Sequence, residues 1–105
     1  MNKYKVVTLC GSTRFREEFL KLRKELTLAG NIVLSVELFG HSGDNIYYSE
    51  NTKQMLDDMH KTKIDMSDEI FVINVNGYVG ESTRNEIEYA ISKGKSIKYL
   101  INQRS

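Results

Sequence analysis

Four short apolar runs, separated by three stretches of helical spacing, constrain this chain more than any other feature. The runs are Tyr4 to Cys10 (YKVVTLC), Asn31 to Leu38 (NIVLSVEL), Glu69 to Val75 (EIFVINV) and Ser96 to Asn102 (SIKYLIN). The first and third are apolar enough along their length to be strands covered on both faces. Between the runs, Arg14 to Ala29 sets Phe15, Phe19, Leu22, Leu26 and Ala29 at steps of three or four, and Gly30 stops the helix. Glu50 to Met66 places Met55, Met59 and Ile64 roughly on one side, and Thr83 to Lys93 turns Ile87, Ala90 and Ile91 inward before ending at Gly94. The alternation β-α-β-α-β-α-β predicts an α/β fold with a parallel sheet and helices on both faces. Right-handed crossovers favour the strand order 2-1-3-4. The expected architecture is a small flavodoxin-like or Rossmann-like three-layer sandwich with a sheet of four strands.

Length and charge narrow the rest. At 105 residues the chain makes one domain, 1–105, with a single modest core. A formal charge of +1, from 15 basic and 14 acidic residues, argues against binding nucleic acid or an anionic membrane through bulk charge. No apolar run approaches a membrane span, and the N-terminus lacks the pattern of a signal peptide. The single cysteine, Cys10, forms no internal disulfide, so the default expectation is a soluble cytoplasmic protein. No proline interrupts the regular elements. The one long irregular segment, Phe39 to Ser49 (FGHSGDNIYYS), exceeds the usual connection length and reads as a lid or binding loop, or else as a disordered flap.

In open parallel sheets, ligands bind beyond the carboxyl ends of the strands, where the strand order reverses. Here that crevice falls between the first and third strands, flanked by "CGSTRF" and "NGYVGEST", the turns richest in glycine and hydroxyl groups. In the first, Gly11 permits a sharp turn, Ser12 or Thr13 opens the helix, and Arg14 offers a bidentate clamp on phosphate. The plainer reading makes the hydroxyl an N-cap and Arg14 a solvated side chain. In the second, Thr83-x-x-Glu86 matches a capping box, with Glu86 folded back on the Thr83 backbone. The alternative aims Glu86, in the first turn of its helix, into the crevice, with Glu88 on another face and Ala90 keeping the adjacent wall low. A carboxylate beside an anomeric carbon displaces a leaving base and forms a glycosyl-enzyme intermediate that water or a second base resolves.

"LCGSTRFRE" followed by "IVLSVEL" resembles the opening of the 2′-deoxynucleoside 5′-phosphate N-hydrolases, and "SDEIFVINV…NEIEYA" resembles signatures of the wider nucleoside 2-deoxyribosyltransferase family. The similarity runs roughly from Val6 to Lys95. It implies that Gly11, Ser12 and Arg14 hold a 5′-phosphate, that Glu86 is the nucleophile, and that Ser82 lies in a loop contacting sugar or phosphate, alongside Gly80 and Tyr78. The family's aspartate ahead of strand three, which orients the sugar or protonates the base, falls on His60 when counted back from Asp68. Asp65 lies closer to the strand and Asp57 one turn before His60, so the general acid is open among them. Imidazole as a class titrates near neutrality, which suits His60 to the task, whereas a lone helical histidine is more often structural. Phe15 stands where the family carries glycine, and the extra C-terminal elements of the transferases do not follow "INQRS".

The resemblance therefore implies cleavage of the N-glycosidic bond of a (deoxy)nucleoside or its 5′-monophosphate, hydrolysis being favoured over base transfer. The alternative is a non-catalytic nucleotide-binding or sensor module using the same crevice. Tyr47, Tyr48 and Tyr78 suit stacking on a base or ordinary packing equally well. Cys10 reads as a small buried residue rather than a nucleophile. His41 and His60 show no metal-ligand spacing, so neither metal nor cofactor is expected. The expected partner is a small nucleoside or nucleotide, with self-association into a homo-oligomer because related enzymes complete their sites across a subunit interface.

Overall fold

Because side chains alternate across a strand, β1 (Val6–Gly11) sends Val7 and Leu9 to one face of its sheet and Cys10 to the other. It lies in the interior of the sheet, between β2 (Ile32–Ser35) and β3 (Glu69–Ile73), and β4 (Ser96–Tyr99) completes the far edge. The computed structural model describes residues 3–37 and 49–101. All three strand pairings are parallel and the order is β2-β1-β3-β4, with Leu9 opposite both Ser35 and Phe71 and Gly11 opposite Ile73. The expected α/β class and strand order are those observed.

Helices cover both faces. Phe19 and Leu22 of α1 (Arg16–Leu28) pack on Val7, Leu9 and Ile73. On the opposite face Ile64 of α2 (Glu50–Met66) and Ala90 of α3 (Glu81–Ser92) pack on Cys10, Ile70 and Val72. The placement follows from chain direction. β1 to β2 steps one way along the sheet, while β2 to β3 crosses back over β1 and β3 to β4 continues the other way, so right-handed crossovers put α2 and α3 together on the second face.

Short polar ties fix the strand ends. At the amino edge, Val6 N donates to Asp68 Oδ2 at 2.9 Å and Asp68 N donates to Val6 O at 2.8 Å. At the carboxyl edge the buried Asn74 side chain donates through Nδ2 to Ile101 O and accepts at Oδ1 from Ile101 N, both at 2.9 Å. β1 and β3 converge tightly there as well. Gly11 has φ +151°, and a Cβ on it would stand 2.9 Å from the Ile73 carbonyl oxygen, so this strand end admits only glycine without strain.

Three local expectations need correction. Met55 and Met59 are 52% and 46% exposed, while the buried residues of α2 are His60 and Ile64. Met59 sits one residue before buried His60, and Met55 one turn before Met59, so a step of about 100° turns both outward from the His60–Ile64 side that meets the sheet. Ile91 is likewise turned out, one step past the buried Ala90. Finally, α3 begins three residues earlier than the capping-box pattern implies. Its N-cap is Gly80, without a side-chain cap, and Arg84 N already donates to Gly80 O at 2.9 Å. Thr83 is therefore inside the helix and buried, and Glu86 is its sixth residue, not a capping partner in the first turn.

Candidate functional site

The topology that puts α2 and α3 on one face also brings three chemically distinct side chains together. Cys10 comes from the end of β1, His60 from the inward face of α2, and Glu86 from the inward line of α3 that includes Thr83 and Ala90. His60 Nε2 lies 3.4 Å from Cys10 Sγ and 3.5 Å from Glu86 Oε1. The donor atoms of all three residues fall within 4.8 Å of one another. Cys10 is fully buried and His60 nearly so, whereas the Glu86 side chain keeps 21% of its surface exposed. Glu86 is thus the member of the cluster that a ligand in the crevice would meet.

The electrostatics of the cluster are readable atom by atom. Burial pushes the Cys10 thiol well above its usual range, and the Glu86 carboxylate pushes it the same way through its charge and by accepting a hydrogen bond. Cys10 is a protonated thiol here, not a thiolate nucleophile. A carboxylate oxygen only accepts, so the contact with Glu86 favours the tautomer with hydrogen on His60 Nε2. The opposite ring nitrogen, Nδ1, is buried without a hydrogen-bond partner among the described residues. Leaving such a group unpaired costs about 1–3 kcal/mol.

The two loops flanking the crevice meet above β1 and β3. Ser12 Oγ accepts from Arg14 N at 3.3 Å and caps a 3₁₀ turn, Thr13–Phe15, that intervenes before α1. The expected opening of a long helix at Ser12 or Thr13 is therefore replaced by this short turn, and α1 itself has no side-chain cap. The Arg14 guanidinium carbon stands 4.6 Å from the centroid of the Tyr78 ring, and the Phe15 ring meets Tyr78 edge-on at 5.9 Å. Tyr78 also folds back over Gly80, where an added Cβ would come within 3.2 Å of the Tyr78 hydroxyl. Arg14, Phe15, Tyr78 and Gly80 thus form one surface joining both loops, and among the described residues Arg14 pairs with no carboxylate. Ser82 is exposed on the first turn of α3.

Of the acid candidates, only His60 is brought to Glu86. Asp65 is exposed near the C-terminal end of α2, three residues before the Asp68 tie at the sheet's amino edge, where it accepts the Tyr89 hydroxyl at 2.7 Å. Asp57 is exposed on α2. His41, Tyr47, Tyr48 and most of the long segment expected to form a lid lie outside the described residues. The part of the site that sequence spacing misses is the approach of Cys10 to the other two. Cys10 is 50 positions from His60 and 76 from Glu86 along the chain, far from any ligand-spacing pattern. The available signal was parity, since Cys10 shares a strand face with Thr8, whose hydroxyl donates to Lys63 O on α2. No protein-family model and no curated protein matches the chain.

Proposed function

We propose that the chain cleaves the N-glycosidic bond of a (deoxy)nucleoside or nucleoside 5′-monophosphate, with Glu86 as nucleophile and water as the final acceptor. The observation that carries this reading is the placement of Glu86: on the inward line of α3, partly exposed, with Oε1 steadied by buried His60 at 3.5 Å. A Glu86 carboxylate oxygen attacks the anomeric carbon as the bond to the base breaks. The bonding pair leaves with the base, which takes a proton from water. A second water then attacks the anomeric carbon, the sugar–Glu86 ester bond breaks, the carboxylate is regenerated, and the proton this water loses neutralises the hydroxide left by the first. His60 acts as a positioning residue, holding the carboxylate through Nε2–H. The surface made by Arg14, Phe15 and Tyr78 supports recognition of a flat base or a phosphate beside the crevice.

The test is release of free base, followed chromatographically, from a panel of nucleosides and their 5′-monophosphates. Glu86→Gln is expected to lower kcat by about a thousand-fold or more, since a neutral amide cannot form the ester. Release that survives this substitution sinks the assignment of Glu86. The joining of the two loops by Arg14 and Tyr78 supports a second reading, a nucleotide-binding module without turnover. Tight monophosphate binding with no base release, equal in wild type and Glu86→Gln, decides for that alternative.

A further inference from the structure

We propose that Cys10 Sγ, His60 Nε2 and Glu86 Oε1 form a binding site for a zinc-class divalent cation, with a fourth coordination position open toward the crevice. The separations carry the argument. The contact from His60 Nε2 to the carboxylate oxygen, at 3.5 Å, is long for a strong hydrogen bond, and the contact to sulfur, at 3.4 Å, has an ordinary length for sulfur. Both also match edges of a tetrahedron of metal ligands. Bonds of about 2.3 Å to thiolate sulfur and about 2.0–2.1 Å to nitrogen and oxygen put sulfur about 3.5 Å and oxygen about 3.3 Å from the nitrogen. The third edge, from Cys10 sulfur to the Glu86 carboxylate, lies within 4.8 Å, and an ion fits among the three once the partly exposed Glu86 side chain closes that edge to about 3.5 Å.

The donor types point to the same class of metal. Thiolate and imidazole select zinc-like ions over magnesium or calcium, which prefer oxygen throughout. Coordination expels the thiol proton of Cys10 to water, as a bound cation does. One thiolate and one carboxylate then balance a doubly charged ion, so the buried assembly carries no net charge. Glu86, the only partly exposed member, marks both the entry route and the open position. Coordination through Nε2 moves the imidazole proton to Nδ1, which finds no acceptor among the described residues. The lack of that outer partner weakens such a site by about 10–100-fold, so exchangeable binding is expected, unlike that of a closed structural zinc. This inference stands apart from the glycosidic reading and adds a consequence to it: an ion on Glu86 and a sugar ester on Glu86 exclude each other.

The experiment uses the full chain, free of any tag and stripped with chelator, titrated with Co²⁺ and then with Zn²⁺. One cobalt per chain is expected, with thiolate-to-cobalt charge-transfer absorption and the intense visible bands of a tetrahedral site, both abolished by one equivalent of zinc. Cys10→Ser removes the charge-transfer band, and Cys10→Ser and Glu86→Gln each weaken zinc binding at least about ten-fold. Asp65→Asn, at the opposite sheet edge, leaves both readouts unchanged. Absence of the charge-transfer band at stoichiometric cobalt overturns the proposal. So does zinc retention that is equal in wild type and both ligand variants. If Cys10→Ser fails to fold by circular dichroism, Glu86→Gln, at the exposed corner of the cluster, carries the decision. The metal readout needs no turnover, and base release is measured on stripped protein, so each reading can fail alone.

Discussion

Cys10 gives the single-residue chemistry a pH signature. Its folded-state value lies above that of the free thiol, through burial and then the charge and hydrogen bonding of Glu86. The native state therefore holds its proton where the unfolded chain has released it. The associated stability is fully present below the free-thiol value of about 8.5 and is lost as pH rises from there through the folded-state value. Urea unfolding of the metal-free protein should show stability falling across that alkaline window, and Cys10→Ala should flatten the fall whatever it costs at neutral pH. Next door, Gly11→Ala should destabilise the domain by about 1–3 kcal/mol in the same assay. It would force a Cβ to within 2.9 Å of the Ile73 carbonyl oxygen, at a φ that side chains rarely adopt. A thermal midpoint within error of wild type would contradict that reading of the β1–β3 approach.

Among the elements, α2 carries most of the position of His60, and its start is held by one hydroxyl. Ser49 Oγ accepts from Thr52 N at 3.2 Å, so Ser49→Ala should cost about 1 kcal/mol in denaturant unfolding, while Ser49→Asp should be tolerated. The expected bounds of this helix, Glu50 to Met66, are those observed, because the irregular segment before it and the apolar strand run after it leave little room for them to shift. Its buried face was not legible, because periodicity counts Met55 and Met59 as anchors and gives His60 no apolar weight, whereas the buried residues are His60 and Ile64. For α3 the error ran the other way. Thr83 and Glu86 have the spacing of a capping box, but the backbone closes its first helical bond to Gly80, which frees Glu86 from any role at the helix start. The strand order was legible because chirality leaves few topologies, and the crevice followed from it. The Cys10 contact depends on how deeply α2 settles on β1, a packing outcome that no local pattern encodes.

Across the whole molecule, the sheet is closed at its carboxyl edge by Asn74, which ties the chain beyond β4 back to the end of β3. Both amide ends of this buried side chain are used, by Ile101 O and Ile101 N. Asn74→Ala should cost about 2–3 kcal/mol, since it strands a donor and an acceptor at once. Hydrogen exchange at Ile101 should speed up with it, while the β1 amides keep their protection relative to the lowered global stability. Unchanged exchange at Ile101 would show that the tie is not holding the edge. The Cys10–His60–Glu86 cluster, on the face covered by α2 and α3, draws its members from β1, α2 and α3. Its geometry is therefore a property of the assembled domain, and no excised fragment contains it.

The bare Nδ1 of His60 turns this ring into a built-in spectroscopic probe. With no hydrogen bond to it among the described residues, the ¹⁵N resonance of that nitrogen reports mainly on whether it carries the proton. A shift typical of unprotonated, pyridine-type nitrogen identifies the Nε2–H form that donates to Glu86. Movement to the protonated, pyrrole-type range on adding one equivalent of Zn²⁺ identifies coordination at Nε2. Because the two ring nitrogens differ so clearly in shift, one nucleus is sufficient to follow what occupies the site.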